Sequence, residues 1–470
     1  MSHEYNEDDP LSKALRPPPD ETQTECEARL ASEAKAKEMS DIIDEELEKQ
    51  KLAERKGPKA IKVLLLGQSE SGKSTTLKNF QILYEPKAFR SERASWRAVI
   101  QLNVVRSIHL ILDAITRAQN NAPSTTSRDS LRGPSIGPDL LKLKLRLSPL
   151  LQVEQFLTSR LTAVGSGESE PTQLTYSRNF KELAINSTMQ WKGAFARLMT
   201  GEKESSDDSS DVEPVSDPND PNDPGNILHA CSDDMISLWS NEVVQELLDI
   251  QNLRLEEMAG FFLDSLPRVT SPNYIPTDDD ILRARLKTLG VTEHRFTITH
   301  GASLGRVWKV FDVGGHRSQR AAWVPYFDDM DAIIFLAPIS CFDQVLAEDI
   351  KVNRLDSVKL WSAIVSNELL KNTNLILFLN KIDIMKAKLA AGIKLSKYVV
   401  SYADRPNDFD HTSVYLRKKF AGISKEKSLL PRPFYCHLTS VTDTKSTKYI
   451  LSNIKDMLMR RNLAESALLT

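Results

Sequence analysis

The spacing of apolar residues changes period several times along the chain, and each change predicts an element. From Thr24 to Lys56 the sequence is built of Glu, Lys, Ala and Leu without Gly or Pro, which predicts one long helix. Ala36, Met39, Ile43 and Leu47 fall at helical spacing on one face of it, and Gly57-Pro58 ends it. Such a stripe suits either a solvated lead-in helix or a helix that docks a partner. Ile61 to Leu66 is a short, nearly unbroken apolar run, as expected of a strand buried on both faces of a parallel sheet. Helical spacing returns from Thr75 to Leu83 and again from Ala94 to Ala118, where Trp96, Val99, Ile100, Val104, Val105, Ile108, Leu112 and Ile115 mark a long amphipathic helix. An apolar segment at Leu140–Leu157 and helical patterns from Ile236 to Leu266 extend this character. The interval from Lys87 to Asn273 therefore predicts a helical module with two insertions. Beyond it the pattern turns to strands: Phe296–Thr299, Gly305–Phe311, Ala332–Pro338 and Leu375–Leu379.

Composition changes this picture in three places. Met1 to Asp20 is polar and carries Pro17-Pro18-Pro19; Asn120 to Gly137 is rich in Ser, Asn, Pro and Gly; Glu202 to Gly225 is acidic with repeated Asp-Pro and Asn-Asp pairs. The last holds no apolar cluster, and disorder or exposed linkers are expected at all three. An apolar content of 40% fits a chain with some unpacked length. A net charge of −3 gives no nucleic-acid footprint. Cys26, Cys231, Cys341 and Cys436 are widely scattered, without the spacing of a zinc site or a disulfide framework. No unbroken apolar run approaches the roughly 20 residues that span a bilayer, and no signal-peptide pattern opens the chain, so an intracellular soluble protein is expected.

The candidate chemistry begins where the first strand ends. Gly67-Gln68-Ser69-Glu70-Ser71-Gly72-Lys73-Ser74-Thr75 satisfies G-x-x-x-x-G-K-[ST]. Glycines let the backbone N–H groups of such a loop surround a phosphate, Lys73 supplies charge to the β- and γ-phosphates, and the Ser74 hydroxyl suits Mg²⁺. The strand ending at Asp312-Val313-Gly314-Gly315 places an acid where nucleotide hydrolases hold Mg²⁺, followed by a backbone amide for the terminal phosphate. The strand Leu375–Leu379 ends in Asn380-Lys381-Ile382-Asp383. A carboxylate at Asp383 can accept N1–H and 2-amino hydrogens of guanine, whereas adenine offers no donors there; a buried acid left unpaired would be costly, which selects guanine.

These motifs, in this order, resemble the alpha subunits of heterotrimeric G proteins, large Ras-like GTPases with an inserted helical domain. Asp280 to Thr288 is similar to the family's first switch, Asp312 to Trp323 to its second, and Val345 to Asp349 lies near its third. Thr439-Ser440-Val441-Thr442 stands where the family has its base-contacting loop. The resemblance implies an α/β Ras-like domain, a mostly parallel sheet flanked by helices, in two pieces, 58–86 and 276–470. An all-α domain over 87–275, with insertions near 119–138 and 202–226, would separate them. A disordered stretch 1–23 and a helix 24–57 would precede.

It further implies a site of Glu70, Ser71, Gly72, Lys73, Ser74, Thr75, Leu282, Arg283, Arg285, Thr288, Asp312, Val313, Gly314, Gly315, Asn380, Lys381, Asp383 and Val441 around GTP or GDP. Ser74, Thr288 and Asp312 would serve Mg²⁺, Arg285 would act as the built-in arginine finger, and Glu70 would latch an arginine of the first switch. The implied partners are a beta-gamma dimer at the N-terminal helix and second switch, a seven-helix receptor at the C-terminus, and an effector such as adenylyl cyclase. The implied location is the cytoplasmic face of the plasma membrane. Departures from the family's pattern are Ser2 in place of the glycine that N-myristoylation needs, a C-terminal Asn462 to Thr470 without the usual Cys-Gly pair, Val441 for Ala, Ser69 for Gly, and His316 for the water-orienting Gln. Two functions remain open: a GTPase that terminates its own signal, slowly because of His316 and Ser69, or a guanine-nucleotide-binding adaptor that hardly hydrolyses. An ATP-using transferase is opposed by Asp383.

Overall fold

The computed structural model of the chain describes residues 23–56, 60–120, 136–161, 184–185, 223–251, 253–288, 291–298, 306–346, 349–353 and 356–467. The sequence expectations for 1–22 and for most of both insertions lie outside these residues. Helix α1 (Gln23–Lys56) matches the long helix read from composition. It belongs to a compact unit of its own, separate from the unit that starts at Ile61. Met39 and Ile43 on its apolar stripe are 59% and 49% exposed; the side chain of Leu47 lies outside the described residues.

The second unit is built on a six-stranded sheet. Its strands are β1 (Ile61–Leu66), β2 (Val291–Thr297), β3 (Val307–Val313), β4 (Ala332–Pro338), β5 (Asn374–Asn380) and β6 (Tyr435–Leu438), in the order β6-β5-β4-β1-β3-β2. All neighbours run parallel except β2, which pairs antiparallel with β3. The longer helices of this unit are α2 (Lys73–Tyr84), α3 (Arg93–Asn120), α4 (Pro138–Arg146), α5 (Leu150–Leu161), α6 (Pro224–Ala230), α7 (Ser232–Trp239) and α8 (Glu242–Ile250). They continue with α9 (Asp278–Arg283), α10 (Ser357–Val365), α11 (Ile382–Ala390), α12 (Phe409–Lys427) and α13 (Thr444–Ala467).

Alternation along β1 explains its unbroken apolar sequence. Ile61, Val63 and Leu65 pack with Leu77 and Phe80 of α2 and with Leu451 and Ile454 of α13. Leu64 and Leu66 face the other way, towards Trp361 of α10 and Phe420 of α12. A strand buried on both faces has no polar side to show. A third core is purely helical: Val99, Ile100, Val105 and Ile108 of α3 pack with Val153 of α5, Met235 of α7 and Val244 of α8. The architecture is a mostly parallel sheet between helices, joined to a helical cluster, which is the expected fold class.

Several local features go beyond the sequence expectations. Strand β2 begins at Val291, upstream of the expected Phe296, because it is an edge strand whose Glu293 and Arg295 carry no apolar alternation. Helix α3, read from its period as amphipathic, has the length and mean hydropathy of a membrane-crossing helix although polar residues interrupt its apolar run, and 72% of that stretch is buried inside the fold. It is a core helix, and Asn103, Ser107 and Thr116 on it hydrogen-bond within the fold. Finally, Ala184–Ile185, in the interval between the helical segments, pairs parallel with Lys287–Thr288 of the first-switch segment. Val345–Leu346 pairs antiparallel with part of Asp349–Asn353, while Ala347 and Glu348 lie outside the described residues.

Candidate nucleotide site

The site lies where β1, β3 and β5 end, the edge at which parallel α/β sheets bind ligands. Beyond β1 the chain turns through the glycine-rich loop and enters α2 with Gly72 as N-cap at φ 102. A Cβ at Gly72 would lie 2.5 Å from Nδ2 of Asn380 and 3.0 Å from Cγ2 of Val441, so both backbone conformation and space require glycine. Lys73 is buried, and its Nζ donates to the carbonyls of Gly67 (2.9 Å) and Gln68 (2.8 Å) inside the loop. The Ser74 hydroxyl donates to Oδ2 of Asp312 at 2.7 Å. Asp312 is held at that height because β3 pairs with β1 in a register that sets it beside Leu65, and only 2% of it is exposed.

Ser74 and Asp312 form a pair of hard oxygen donors at the start of α2 and the end of β3. Among the described residues no cluster of three or more His, Cys, Asp or Glu side chains is suited to a metal. A hydroxyl and one carboxylate, completed by phosphate oxygens and water, is the sparse protein set that Mg²⁺ prefers. The residues present therefore fit that ion. Thr288 stands in the short strand Lys287–Thr288, with its side chain outside the described residues.

The first-switch segment closes over α2. Arg285 is ion-paired to Glu70, Nη1 to Oε1 at 2.7 Å. The expected latch between phosphate loop and first switch is therefore formed in this geometry. Glu70 and Lys381 are two of the three non-glycine residues with positive φ among the described residues, at 57° and 62°. Such strain gathers at functional loops. Thr75 reaches the carbonyl of Leu282 at 3.4 Å. Arg283 turns outward to Asp279 at 3.0 Å, with more than half its side chain exposed.

Beyond β3, Val313 and Gly314 are buried; the Gly314 carbonyl accepts from the Trp323 indole at 3.0 Å, and Gly315 packs against Lys73 and Gln68. His316 caps the helical stretch Arg317–Tyr326: its Nδ1 accepts from the Ser318 N–H at 3.4 Å and lies 2.9 Å from the Ser318 hydroxyl. Accepting from a backbone N–H requires an unprotonated Nδ1, so the neutral ring carries its proton on Nε2.

Asn380, at the end of β5, is fully buried and ties three loops. Its Nδ2 donates to the carbonyl of Ser71 (2.8 Å), and its Oδ1 accepts from the Thr439 hydroxyl (3.1 Å) and the Val441 N–H (3.2 Å). The Val441 amide, expected to serve the base, is here engaged by Asn380, while the Val441 carbonyl accepts from Asn79 of α2 at 2.8 Å. Lys381 leads into α11 and Asp383 sits in its first turn, exposed. With the site open, the Asp383 carboxylate faces solvent.

Polar residues that the sequence reading passed over brace the site. Lys78 of α2 is buried; burial lowers its pKa to about 7, with the Asp312 charge opposing the shift. Its Nζ donates to the carbonyls of Ile281 (2.8 Å) and Ala284 (2.9 Å) and lies 4.3 Å from the Trp96 ring centre. Asn103 of α3 bonds the backbone of Arg285. The available signal was a polar residue inside an apolar run, as Asn103 is between Leu102 and Val104.

A phosphate loop, a hydroxyl–carboxylate pair, a latched arginine and an Asn-Lys-x-Asp loop on one sheet edge define a nucleotide-binding protein of the P-loop class. The family model for the G-protein alpha subunit matches residues 37–458. The chain is 30% identical to the guanine nucleotide-binding protein alpha-4 subunit of Mycosarcoma maydis, over 97% of this chain and 94% of that one. It is 29% identical to the alpha-1 subunit of Caenorhabditis elegans, over 93% and 98%, and 29% identical to the alpha-1 subunit of Saccharomyces cerevisiae, over 91% and 94%. The chain belongs to the G-protein alpha subunit family and is a GTP-binding signal transducer. Members of this family are GTPases that bind guanine nucleotide with Mg²⁺ and work with beta-gamma, receptors and effectors.

Proposed function

We propose that this chain is a receptor-operated switch that binds GTP and GDP with Mg²⁺ and hydrolyses GTP slowly relative to its family. The Ras-like part comprises 58–86 and 276–470, with the helical domain between. The observation that carries the slow rate is the cap made by His316. With Nδ1 committed to Ser318, the neutral imidazole offers only an Nε2–H donor to an attacking water, and a donor cannot take that water's proton. Ser69 adds a Cβ and hydroxyl to the loop that passes the γ-phosphate, at the same end of the reaction.

The remaining parts act by position and charge. Lys73 would exchange its loop carbonyls for phosphate oxygens, and Ser74 and Asp312 would hold the metal, which would supply charge neutralisation to the phosphates. Arg285 leaves Glu70 to meet the charge that develops on the transferring group. Asn380 and Lys381 frame the base and Asp383 pairs with it. The membrane location and the partners follow the family: beta-gamma at α1 and the second switch, a receptor at the C-terminus, and an effector such as adenylyl cyclase.

Single-turnover hydrolysis by purified protein tests the reading. His316→Gln combined with Ser69→Gly should raise the rate at least about tenfold, or about 1.4 kcal/mol of barrier. A wild-type rate equal to that of the double variant would defeat it. A rate near zero in both, with tight GTP binding, would favour the non-hydrolysing adaptor.

A further inference from the structure

We propose that Asn103, on α3 of the helical cluster, is a positioning residue for the arginine finger, fixing the backbone from which Arg285 reaches either Glu70 or the transferring phosphoryl group. The Arg285 N–H donates to Oδ1 of Asn103 at 2.8 Å, and Nδ2 of Asn103 donates back to the Arg285 carbonyl at 3.1 Å. Only one orientation of the amide satisfies both bonds, so this side chain reads the arginine's backbone as a strand partner would.

The bond is part of a larger arrangement. Helix α9 ends at Arg283, so the carbonyls of its last turn need partners from elsewhere. Lys78 Nζ takes those of Ile281 and Ala284, the Thr75 hydroxyl that of Leu282, the Gly260 N–H that of Arg283 at 3.0 Å, and Asn103 that of Arg285. Five consecutive carbonyls are thus held by four residues outside the segment: Lys78 and Thr75 of the phosphate-loop helix take three, and Gly260 and Asn103 take one each. Gly260 has φ 84, and a Cβ there would lie 2.8 Å from Asn103 Oδ1 and 3.0 Å from the Arg285 Cβ, so the contact is close as well as polar. Asn103 is only 7% exposed, so these bonds form away from competing water.

A guanidinium must be delivered within a fraction of an ångström of the developing charge, and its backbone anchor sets where the side chain starts. Asn103 acts through Arg285, whose backbone N–H and carbonyl it holds. The proposal rests on the reading of Arg285 as the residue that stabilises the transferring group.

The test uses the full chain loaded with GDP and Mg²⁺, and titrates aluminium fluoride, a mimic of the transferring phosphoryl group. Asn103→Leu, close in size but without hydrogen bonds, should weaken fluoride capture about tenfold while GDP affinity stays within about threefold of wild type. In an Arg285→Ala background the same change should add nothing, because a residue acting only through Arg285 has nothing left to position. Asn103→Asp, which keeps the acceptor and loses the donor, should fall between wild type and Asn103→Leu, and it serves as the test if Asn103→Leu does not fold. Equal losses of GDP and fluoride binding, or additive losses in the double variant, would overturn the proposal in favour of a general structural role. Normal fluoride capture by the Asn103 variants beside a weak Arg285→Ala would overturn it alone. Normal capture by Arg285→Ala would overturn the reading of Arg285 itself.

Discussion

At the scale of single residues, the site depends on which atoms each polar side chain has already spent. On the proposed reading, Asp383 is the group that pairs with N1–H and the 2-amino group of guanine. Asp383→Asn should therefore shift preference from guanine towards xanthine nucleotides, whose 2-oxo group accepts where guanine's amine donates. Competition binding with GDP and XDP reads the shift, and tight ATP binding by the wild type that GDP cannot displace would refute the assignment. Lys78 carries a pH consequence. Burial lowers its folded pKa to about 7 from the ordinary 10.5 of a lysine, so between those values the unfolded chain binds more protons than the folded one. Stability contributed at this group therefore rises as pH climbs through that window and is at its lowest below pH about 7. A neutral amine still has two N–H donors for the Ile281 and Ala284 carbonyls, so the contact survives deprotonation. Melting temperatures of wild type and Lys78→Met, measured at pH 7 and pH 9, should move apart in favour of the wild type at the higher pH; a difference independent of pH would contradict this.

At the scale of elements, legibility in the sequence followed burial. β1, β4 and β5 are apolar on both faces and stand out as runs, and α3 stands out by its period. The edge strand β2 was half hidden because solvent replaces a neighbour on one side, and the helical stretch Arg317–Tyr326 has no apolar period to announce it. The phosphate loop was legible because backbone geometry there demands particular residues, as Gly72 illustrates. Lys78, Asn79 and Asn103 were not, because a long-range hydrogen bond from a helix leaves no periodic trace. Helix α1 poses the opposite question, since its apolar stripe is legible and Met39 and Ile43 are exposed. An exposed stripe of this kind suits a beta-gamma partner. Ile43→Asp should abolish beta-gamma pulldown and leave the melting temperature of the chain alone unchanged; a drop of several degrees would mean that the stripe packs internally.

At the scale of the whole molecule, three cores share one unit. Two lie on the faces of the sheet, and the third gathers Val105 of α3, Val153 of α5 and Leu238 of α7 from segments far apart in sequence. The first-switch segment is where the helical core meets the nucleotide site, with Ile281, Leu282 and Ala284 buried in that core and Arg285 directed at Glu70. The helical core has a consequence for covalent continuity. The segments before 121 and after 135 are buried in the same cluster, so noncovalent packing already does the joining that the peptide link does. A protease site placed between 121 and 135 and cut in the purified protein should yield two fragments that co-elute under native conditions and still retain GDP. Fragments that separate without denaturant would show that the chain itself, and not its packing, holds the helical half together.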